Sequence, residues 1–358
     1  MVNTYSPVVI RFGRLGDTVL LQPLLRKLHL RYGRPCQLLA LGDWSPVLYS
    51  AQDEVAGFIP LQSQSGPLWL RPQRMRATWA LRALRESPFY ICEPEFRTQT
   101  KIRPMLMLAG VPAENCSFIE DIASIEDEHW VDWLLRFGDV TPAAFAAVPN
   151  MPMVGLPAAP SLQISAGEHA DAETWLQAQG IAGRPLVLLQ PANKRTMRWN
   201  GVRKEADDDK SWPVERWAAL ARHIVAELPQ AQVLVCGSAA ETRYLQAIVA
   251  AVGPSSPGVI GAALPLGRLK ALIGLAHSMV SVDTGPAHLA AAIGCPLVVL
   301  MGARSPQLWM PRSASGSAVT LLGGLPSVQR VDELECEEVI GAWRVLAART
   351  ARQHAVAA

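Results

Sequence analysis

Short apolar runs alternate with amphipathic stretches along most of this chain of 358 residues. Residues 7–12 form an apolar, β-branched run, and residues 18–32 carry apolar side chains at helical spacing with basic ones opposite. Residues 37–41 form the next apolar run. This order of strand, helix and strand predicts a parallel sheet with right-handed crossovers.

The alternation continues to the end of the chain with one interruption. Residues 142–160 are rich in proline and alanine and show little periodicity, so we expect a linker there. We therefore predict two Rossmann-like domains, an N-terminal one at residues 1–155 and a C-terminal one at residues 156–358, and leave open whether the last helix packs back on the first domain. The remaining predicted strands are residues 89–93, 185–190, 232–236, 259–260, 278–282 and 297–301, and the remaining predicted helices are residues 98–109, 213–227, 241–252, 266–276, 286–294 and 332–348.

Composition narrows the class of protein. Hydrophobic residues make up 50% of the chain and charged residues 18%, as in a compact globular protein. The net charge of +2 excludes a general polyanion binder, so we expect no nucleic acid partner. The six cysteines lack C-x-x-C spacing, which predicts reduced thiols in a cytosolic protein. The longest apolar region, residues 273–301, contains charged residues and a Gly-Pro break, so a transmembrane span is excluded.

The segment Asp283-Thr-Gly-Pro-Ala-His288 follows an apolar strand and carries the sharpest chemical signal. Pro286 suits the first position of a helix, because its missing N–H would be unpaired there. The amides of Thr284 and Gly285 and the helix dipole can then bind a phosphate, and His288 can touch a donor phosphate or sugar. The same residues also suit an ordinary helix cap with packing around it.

A second candidate site follows the first strand, in Arg11-Phe-Gly-Arg-Leu-Gly-Asp17. A carboxylate at Asp17 can accept the proton of an attacking hydroxyl, although a helix N-cap is the simpler role. The dinucleotide pattern G-x-G-x-x-G is absent, which argues against a Rossmann dehydrogenase.

A third candidate is the loop before Trp212. Lys210 can neutralise a diphosphate leaving group, unless it is a solvated surface lysine. Asp207 and Asp209 match a D-x-D metal element, but runs of like charge usually belong to solvated loops. Residues 194–209 look like a charged insertion.

Four segments, in this order and spacing, resemble glycosyltransferase family 9, the ADP-heptose lipopolysaccharide heptosyltransferases. They are residues 10–23, 210–217, 237–241 and 283–296. The resemblance implies a GT-B fold, in which two Rossmann-like domains with parallel sheets face each other across a cleft that holds the active site. It also implies an inverting transfer of heptose from ADP-heptose to a lipopolysaccharide inner-core acceptor, with no metal ion and no cofactor, in the cytoplasm or peripherally on the inner membrane surface.

The resemblance also implies roles for individual residues. Asp17 would be the base, Lys210 would hold the diphosphate together with the amides of Thr284 and Gly285, and Asp283 would contact the sugar. The donor-binding residues implied are Asn193, Lys210, Glu241 (on the ribose hydroxyls), Asp283, Thr284, Gly285 and His288, and the acceptor-binding candidates are Arg14, Arg97, Lys101 and Arg103.

Two departures from the family pattern stand out. Gln190-Pro-Ala-Asn193 replaces a turn that is often His-Pro-Gly-like, and Glu93 stands where an aspartate is common. The basic helix with Arg97, Lys101 and Arg103 suits a phosphorylated lipid-core acceptor and a solvated surface equally well. Two alternatives remain: the same donor with a capsule glycan or protein serine as acceptor, and a non-catalytic sugar-nucleotide-binding module.

Overall fold

The computed structural model describes residues 5–62, 72–93, 95–146, 155–198, 201–203, 207–254, 256 and 258–357, without the side chains of residues 95, 198 and 350–357. The chain divides into two compact units, Met1–Gln163 and Ile164–Ala358. This division falls at the carboxyl side of the predicted linker, after the predicted border at residues 155–156. Residues 147–154 of that linker lie outside the described residues.

The first unit is built on a five-stranded parallel sheet. Its strands are β1 (Val8–Arg11), β2 (Cys36–Leu41), β3 (Val55–Leu61), β4 (Phe89–Ile91) and β5 (Cys116–Phe118), in the order β3-β2-β1-β4-β5. Its helices are α1 (Leu15–Leu20), α2 (Gln22–Tyr32), α3 (Trp44–Leu48), α4 (Pro72–Ala83), α5 (Glu95–Arg97), α6 (Arg103–Ala109) and α7 (Trp130–Phe137).

Both helices predicted in this unit differ from the structure, and α3, α4 and α7 had no predicted counterpart. The single helix predicted at residues 18–32 is two helices that meet at Leu21. Pro23 explains the break, because it has no N–H to continue the hydrogen-bond ladder. The helix predicted at residues 98–109 starts earlier, and a π-helical turn at Thr98–Ile102 joins α5 to α6. Such turns often occur at functional sites.

The second unit is built on a six-stranded parallel sheet with one separate hairpin. Its strands are β6 (Leu186–Gln190), β7 (Met197–Arg198), β8 (Gly201–Val202), β9 (Gln232–Gly237), β10 (Val259–Ala263), β11 (Ala276–Val282), β12 (Leu297–Met301) and β13 (Val319–Gly323). The sheet order is β10-β9-β6-β11-β12-β13, and β7 pairs antiparallel with β8. Its helices are α8 (Ala166–Ala178), α9 (Val214–Glu227), α10 (Thr242–Val252), α11 (Leu266–Leu275), α12 (Gly285–Ile293), α13 (Pro306–Trp309) and α14 (Cys336–Ala357).

The last helix, α14, packs on its own unit. Val339, Trp343 and Leu346 are buried in the core that α9, β11 and β12 also line. The indole N–H of Trp343 donates to the Ser278 hydroxyl at 3.1 Å. The helix begins four residues after its predicted start at 332, because Val331–Glu333 forms a separate 3₁₀ turn.

Each sheet changes winding direction beside its first strand. In the first unit β1 lies between β2 and β4, and in the second β6 lies between β9 and β11. Open α/β sheets bind ligands at the carboxyl ends of the strands at such switch points. The segments after β1 and β4, and after β6 and β11, are therefore the places where ligand-binding residues are expected.

Candidate functional sites in the two units

Asp17 lies at the start of α1, directly after the loop that follows β1. Its Oδ2 accepts a hydrogen bond from the backbone N–H of Arg14, the N-cap residue, at 2.8 Å. Its Oδ1 accepts from Nη2 of Arg11 at 2.6 Å. The side chain remains 25% exposed. Asp17 is therefore not the N-cap itself: it is the third residue of α1, and its carboxylate closes a capping box with the N-cap Arg14. These contacts leave part of the carboxylate accessible.

Gly13 allows these two side chains to approach the loop backbone. A Cβ at this position would lie 2.3 Å from Cβ of Asp17 and 2.9 Å from Nε of Arg11. Both distances are shorter than van der Waals contact, so any side chain here would displace Asp17 or Arg11.

Arg11 is the centre of this first site, and the sequence analysis gave it no role. It is almost fully buried at the end of β1, where Nη1 donates to the carbonyl of Cys92 at 2.7 Å and lies 3.4 Å from Oε1 of Glu93. The guanidinium carbon lies 4.8 Å from the ring centroid of Trp130. The sequence feature that could have identified Arg11 is its position as a charged residue in an apolar strand, because such a residue is rarely buried unless it is paired.

Glu93 follows β4 and is fully buried. Its carboxylate accepts hydrogen bonds from the backbone N–H of Phe12 and from Nη1 of Arg97, the latter at 3.3 Å. Burial raises the pKa of Glu93, and the nearby Arg11 and Arg97 guanidinium groups partly oppose this rise. The departure noted at this position therefore places a carboxyl group inside the first site.

The four basic residues predicted to bind an acceptor occupy different environments. Arg97 belongs to the Asp17 surroundings, because Nη1 also donates to the carbonyl of Phe12 at 2.9 Å. Arg103 instead pairs with Glu120 at 3.1 Å and lies over the Phe118 ring. Arg14 is exposed beside Asp17, and Lys101 is half-buried on the π-helical turn. Their role in binding an acceptor stays a prediction.

In the second unit, Lys210 and Asp283 come together although they are far apart in sequence. Nζ of Lys210 donates to the backbone carbonyl of Asp283 at 2.9 Å and forms an ion pair with its carboxylate. The Lys210 side chain is only 17% exposed, so it is not a solvated surface lysine. Asp283 directly follows β11, which places this pair at the switch point of the second sheet.

Helix α12 begins beside this pair. Thr284 is its N-cap, Gly285 its first residue and Pro286 its second, one position later than predicted. The Thr284 side chain makes no capping hydrogen bond, so the backbone amides at this helix start are not covered by it. Nε2 of His288 lies 3.9 Å from Oδ1 of Asp283. Three of the donor-site candidates and the Lys210–Asp283 pair therefore adjoin one helix N-terminus.

Asn193 follows β6, the strand next to β11, and its side chain holds the loop. Its Nδ2 donates to Oδ2 of Asp208 at 2.8 Å, and its Oδ1 accepts from the backbone N–H of Arg195 at 2.7 Å. Oδ1 of Asp208 accepts in turn from the backbone N–H of Lys210 at 3.2 Å. Asp208, which the sequence analysis did not single out, thus links the predicted donor residues Asn193 and Lys210.

The acidic run at residues 207–209 has a structural explanation. Asp208 is buried by the contacts just described, and Asp209 forms an ion pair with Arg195. Asp207 is exposed and accepts from Arg203 through its backbone carbonyl at 3.0 Å. Within the described part of the chain, no group of three His, Cys, Asp or Glu side chains could hold a metal ion.

Glu241 lies after β9, on the other side of β6 in the sheet. Its Oε2 accepts from the backbone N–H and the hydroxyl of Ser238, at 2.7 and 2.9 Å. A Cβ on Gly237 would lie 2.9 Å from the same oxygen. One carboxylate oxygen therefore fixes the turn, and a contact with ribose hydroxyls through the other stays a prediction.

Comparison with known proteins identifies the family. The family model described as glycosyltransferase family 9 (heptosyltransferase) matches residues 140–337, more than half of the chain. The chain belongs to glycosyltransferase family 9. It is accordingly a glycosyltransferase, and the matched residues of this family 9 protein include every donor-side candidate described above.

Relatives of this family 9 protein match almost its whole length. It is 25% identical to lipopolysaccharide heptosyltransferase 2 of Escherichia coli K12 over 340 residues, which cover 92% of this chain and 91% of the relative. The solved Escherichia coli ADP-heptose lipopolysaccharide heptosyltransferase II has a TM-score of 0.72 at 20% identity, covering 96% of this chain and 99% of that one. An Escherichia coli heptosyltransferase solved with ADP has a TM-score of 0.62 at 16% identity, with 95% and 99% covered. These likenesses confirm the predicted GT-B fold.

The structure adds one finding about membranes. None of the helices in the described ranges combines the length and the apolar character that a bilayer span requires.

Proposed function

We propose that this family 9 protein transfers a heptose from ADP-heptose to an inner-core sugar of lipopolysaccharide. The observation that carries the proposal is the Lys210–Asp283 pair at the N-terminus of α12. A cation, two backbone amides and a helix dipole are there within one site, and together they suit a diphosphate. Support for the sugar comes from relatives named heptosyltransferases, one of them solved with ADP.

In the proposed reaction, Asp17 removes the proton from an acceptor hydroxyl. The acceptor oxygen forms a bond to the anomeric carbon as the bond from that carbon to the donor phosphate breaks, so the configuration inverts. Lys210 and the amides of Thr284 and Gly285 stabilise the negative charge that ADP gains on leaving. In this proposal Asp283 and His288 contact the sugar, and Glu241 accepts from the ribose hydroxyls.

The proposal includes no metal ion. This part is supported by the acidic side chains near Lys210, which already bind partners within the protein. The Asp208 carboxylate accepts two hydrogen bonds from the loop, and Asp209 is paired with Arg195. Lys210 supplies the positive charge that a metal ion would otherwise bring to the diphosphate. Activity should therefore persist in excess EDTA, and loss of activity that Mg²⁺ restores would overturn this part.

The proposed location is the cytoplasm, with peripheral contact to the inner membrane surface. All six cysteines are free thiols, the state typical of reducing compartments. An inner-core acceptor carries a lipid, so the enzyme would meet it at a membrane surface.

A donor panel and an acceptor panel test the proposal. Calorimetric titration should detect binding of ADP and of ADP-heptose. UDP- and GDP-sugars should bind more weakly or not at all. Transfer should be seen with heptose-deficient lipopolysaccharide core and not with a capsule oligosaccharide or a serine peptide. Preferred binding of UDP- or GDP-sugars would refute the donor, and transfer only to one of the other acceptors would favour the alternative function.

A further inference from the structure

Three large apolar side chains are unusually exposed on the first unit. Trp79 on α4 is 71% exposed, Phe96 on α5 is 75% exposed and Met107 on α6 is 78% exposed. A single exposed apolar residue needs no explanation, but several large ones on neighbouring elements mark an interaction surface. Among the described residues they are the three most exposed large apolar side chains, and Leu108 and Ile125 follow at 59% each.

Trp79 and Met107 lie on one layer of the unit, and Phe96 lies on α5, which the π-helical turn Thr98–Ile102 joins to α6. The buried sides of α4 and α6 contribute Ala77, Leu81 and Met105 to a single core cluster with Ile10 of β1, and the two helices pack against each other. Because both helices cover the same face of the sheet, their opposite sides point away from it together. The exposed stripe of α4 follows helical spacing through Met75, Trp79 and Arg82.

Basic residues predominate on α4, α5 and α6, whose one acidic residue is Glu95 at the start of α5. Helix α4 contains three arginines and no acidic residue, and Arg76 and Arg82 are exposed. The segment from Phe96 to Ala109 contains Arg97, Lys101 and Arg103 and again no acidic residue. Aromatic and aliphatic side chains among arginines and lysines are typical of helices that lie in the interface of an anionic bilayer.

We propose that this surface, which we name the α4–α6 face (Met75, Arg76, Trp79, Arg82, Phe96 and Met107), docks on a membrane that carries anionic lipid. Trp79, Phe96 and Met107 enter the interfacial layer, and Arg76 and Arg82 contact the lipid phosphates. This membrane-docking proposal rests on the proposed function in one respect: the reason for docking is that the proposed acceptor is linked to a lipid of the membrane.

The α4–α6 face adjoins the Asp17 site. Phe96 directly precedes Arg97, whose guanidinium donates to Glu93 and to the carbonyl of Phe12. A membrane held against this face would therefore bring a lipid-linked sugar close to the loop that carries the proposed base.

Vesicle co-sedimentation of the full chain, without donor or acceptor, tests the proposal. The protein should bind vesicles of phosphatidylcholine with phosphatidylglycerol, and bind pure phosphatidylcholine vesicles at least tenfold more weakly. Binding should also fall in high salt, because salt screens the charge contribution. Absence of binding to the anionic vesicles would overturn the proposal, whether or not the enzyme transfers heptose.

Two sets of variants separate the apolar from the charged contribution. The combination Trp79→Ser, Phe96→Ser and Met107→Ser, and separately Arg76→Gln with Arg82→Gln, should each reduce anionic-vesicle binding about tenfold or more. The matched control is Leu30→Ser with Arg26→Gln on α2, where both side chains are exposed one turn apart, and it should bind like the parent. An equal loss of vesicle binding in the control would show that membrane binding is not specific to the α4–α6 face.

Two further measurements complete the test. Turnover on a water-soluble, delipidated acceptor should be unchanged in the Trp79, Phe96 and Met107 variant, while turnover on vesicle-embedded acceptor falls. Analytical ultracentrifugation should give the same mass for parent and variant. A parent dimer that the variant dissociates would assign the face to a second copy of the chain and overturn the membrane assignment.

Discussion

Arg11, the last residue of β1, donates a hydrogen bond of 2.6 Å to the carboxylate of Asp17 in the first turn of α1. The other end of the same guanidinium is fixed by the Cys92 carbonyl at the end of β4. One buried side chain thus connects the two strands of the switch point and sets the orientation of the proposed base. Such fixed orientation is what general base catalysis requires of a carboxylate.

Replacing Asp17 with asparagine should abolish transfer. The amide keeps a capping oxygen for Arg14 but cannot accept the acceptor's proton, so kcat should fall by about 10²- to 10⁴-fold. ADP affinity, measured by calorimetry, should stay within twofold. The control is Asp53→Asn, an exposed aspartate before β3, which should retain full activity. Full activity of the Asp17 variant would remove this residue from the role of base.

Gly13→Ala should displace Asp17 without removing it. The added Cβ would lie 2.3 Å from Cβ of Asp17, so the carboxylate must move. Misplacement of a catalytic group by about 1 Å can cost about 100-fold in rate, and kcat should fall by roughly that factor with ADP affinity retained.

The same substitution at Gly167 is the matched control. This glycine lies within α8 and a Cβ there meets no atom within 4 Å. Alanine is a better helix former, so this variant should keep its activity and gain about 0.5–1 kcal/mol of stability. If Gly13→Ala is as active as Gly167→Ala, the close approach of Gly13 to Asp17 does not position the base.

Lys210→Ala should weaken ADP binding and turnover together. It removes a charged donor proposed to hold the diphosphate, a loss of about 1.5–3 kcal/mol, or roughly 10- to 100-fold in affinity. Lys194→Ala, at an exposed lysine of the same charged loop, should leave the ADP dissociation constant unchanged. An ADP affinity that is the same in both variants would place Lys210 outside the diphosphate site.

The sequence predicted much of this fold, since apolar periodicity located most of the central strands. It missed β3, β5 and β13, which are short or partly exposed edge strands with weaker patterns. It also missed the β7–β8 hairpin, because two-residue strands leave no periodicity to detect. The strand predicted at residues 259–260 extends to Ala263.

The candidate sites were partly predictable for a different reason. Asp283 and Lys210 carried recognisable motifs, but their ion pair depends on where two distant loops meet. Asp208 was hidden in a run of aspartates whose usual explanation is solvation, and only the structure shows it bonded to Asn193. Long-range pairing of this kind is set by tertiary packing, which local patterns do not contain.

Glu93 should make stability depend on pH. Burial raises its pKa above the ordinary value of 4.5, so the folded state favours the protonated carboxyl. The associated stability is complete below the unfolded pKa and is lost as the pH rises through the raised folded pKa. The Tm of the parent should therefore fall relative to the Tm of Glu93→Gln as the pH rises from about 4 towards neutrality.

Glu114→Gln, at an exposed glutamate, provides the control for that experiment and should show no such trend. A Tm difference that is constant with pH, or that shifts in favour of the parent, would contradict the raised pKa of Glu93.

A buried ion pair joins two helices of the second unit, and its removal should cost more than removal of an exposed neighbour. Nζ of Lys270 on α11 is completely buried and donates to both oxygens of Glu168 on α8, at 3.0 and 3.2 Å. Burial lowers the pKa of Lys270, and Glu168 opposes this shift. Glu168→Gln removes the countercharge and should cost about 3–5 kcal/mol in urea unfolding.

The same two helices offer the matched control. Arg268 of α11 pairs with Asp171 of α8 at 2.8 Å, but both side chains are partly solvated. Asp171→Asn should therefore cost less than about 1 kcal/mol. The double variant Glu168→Gln with Lys270→Met should recover most of the loss, because it removes the buried charge itself. Equal losses at Glu168 and Asp171 would show that burial does not set the strength of the Lys270 pair.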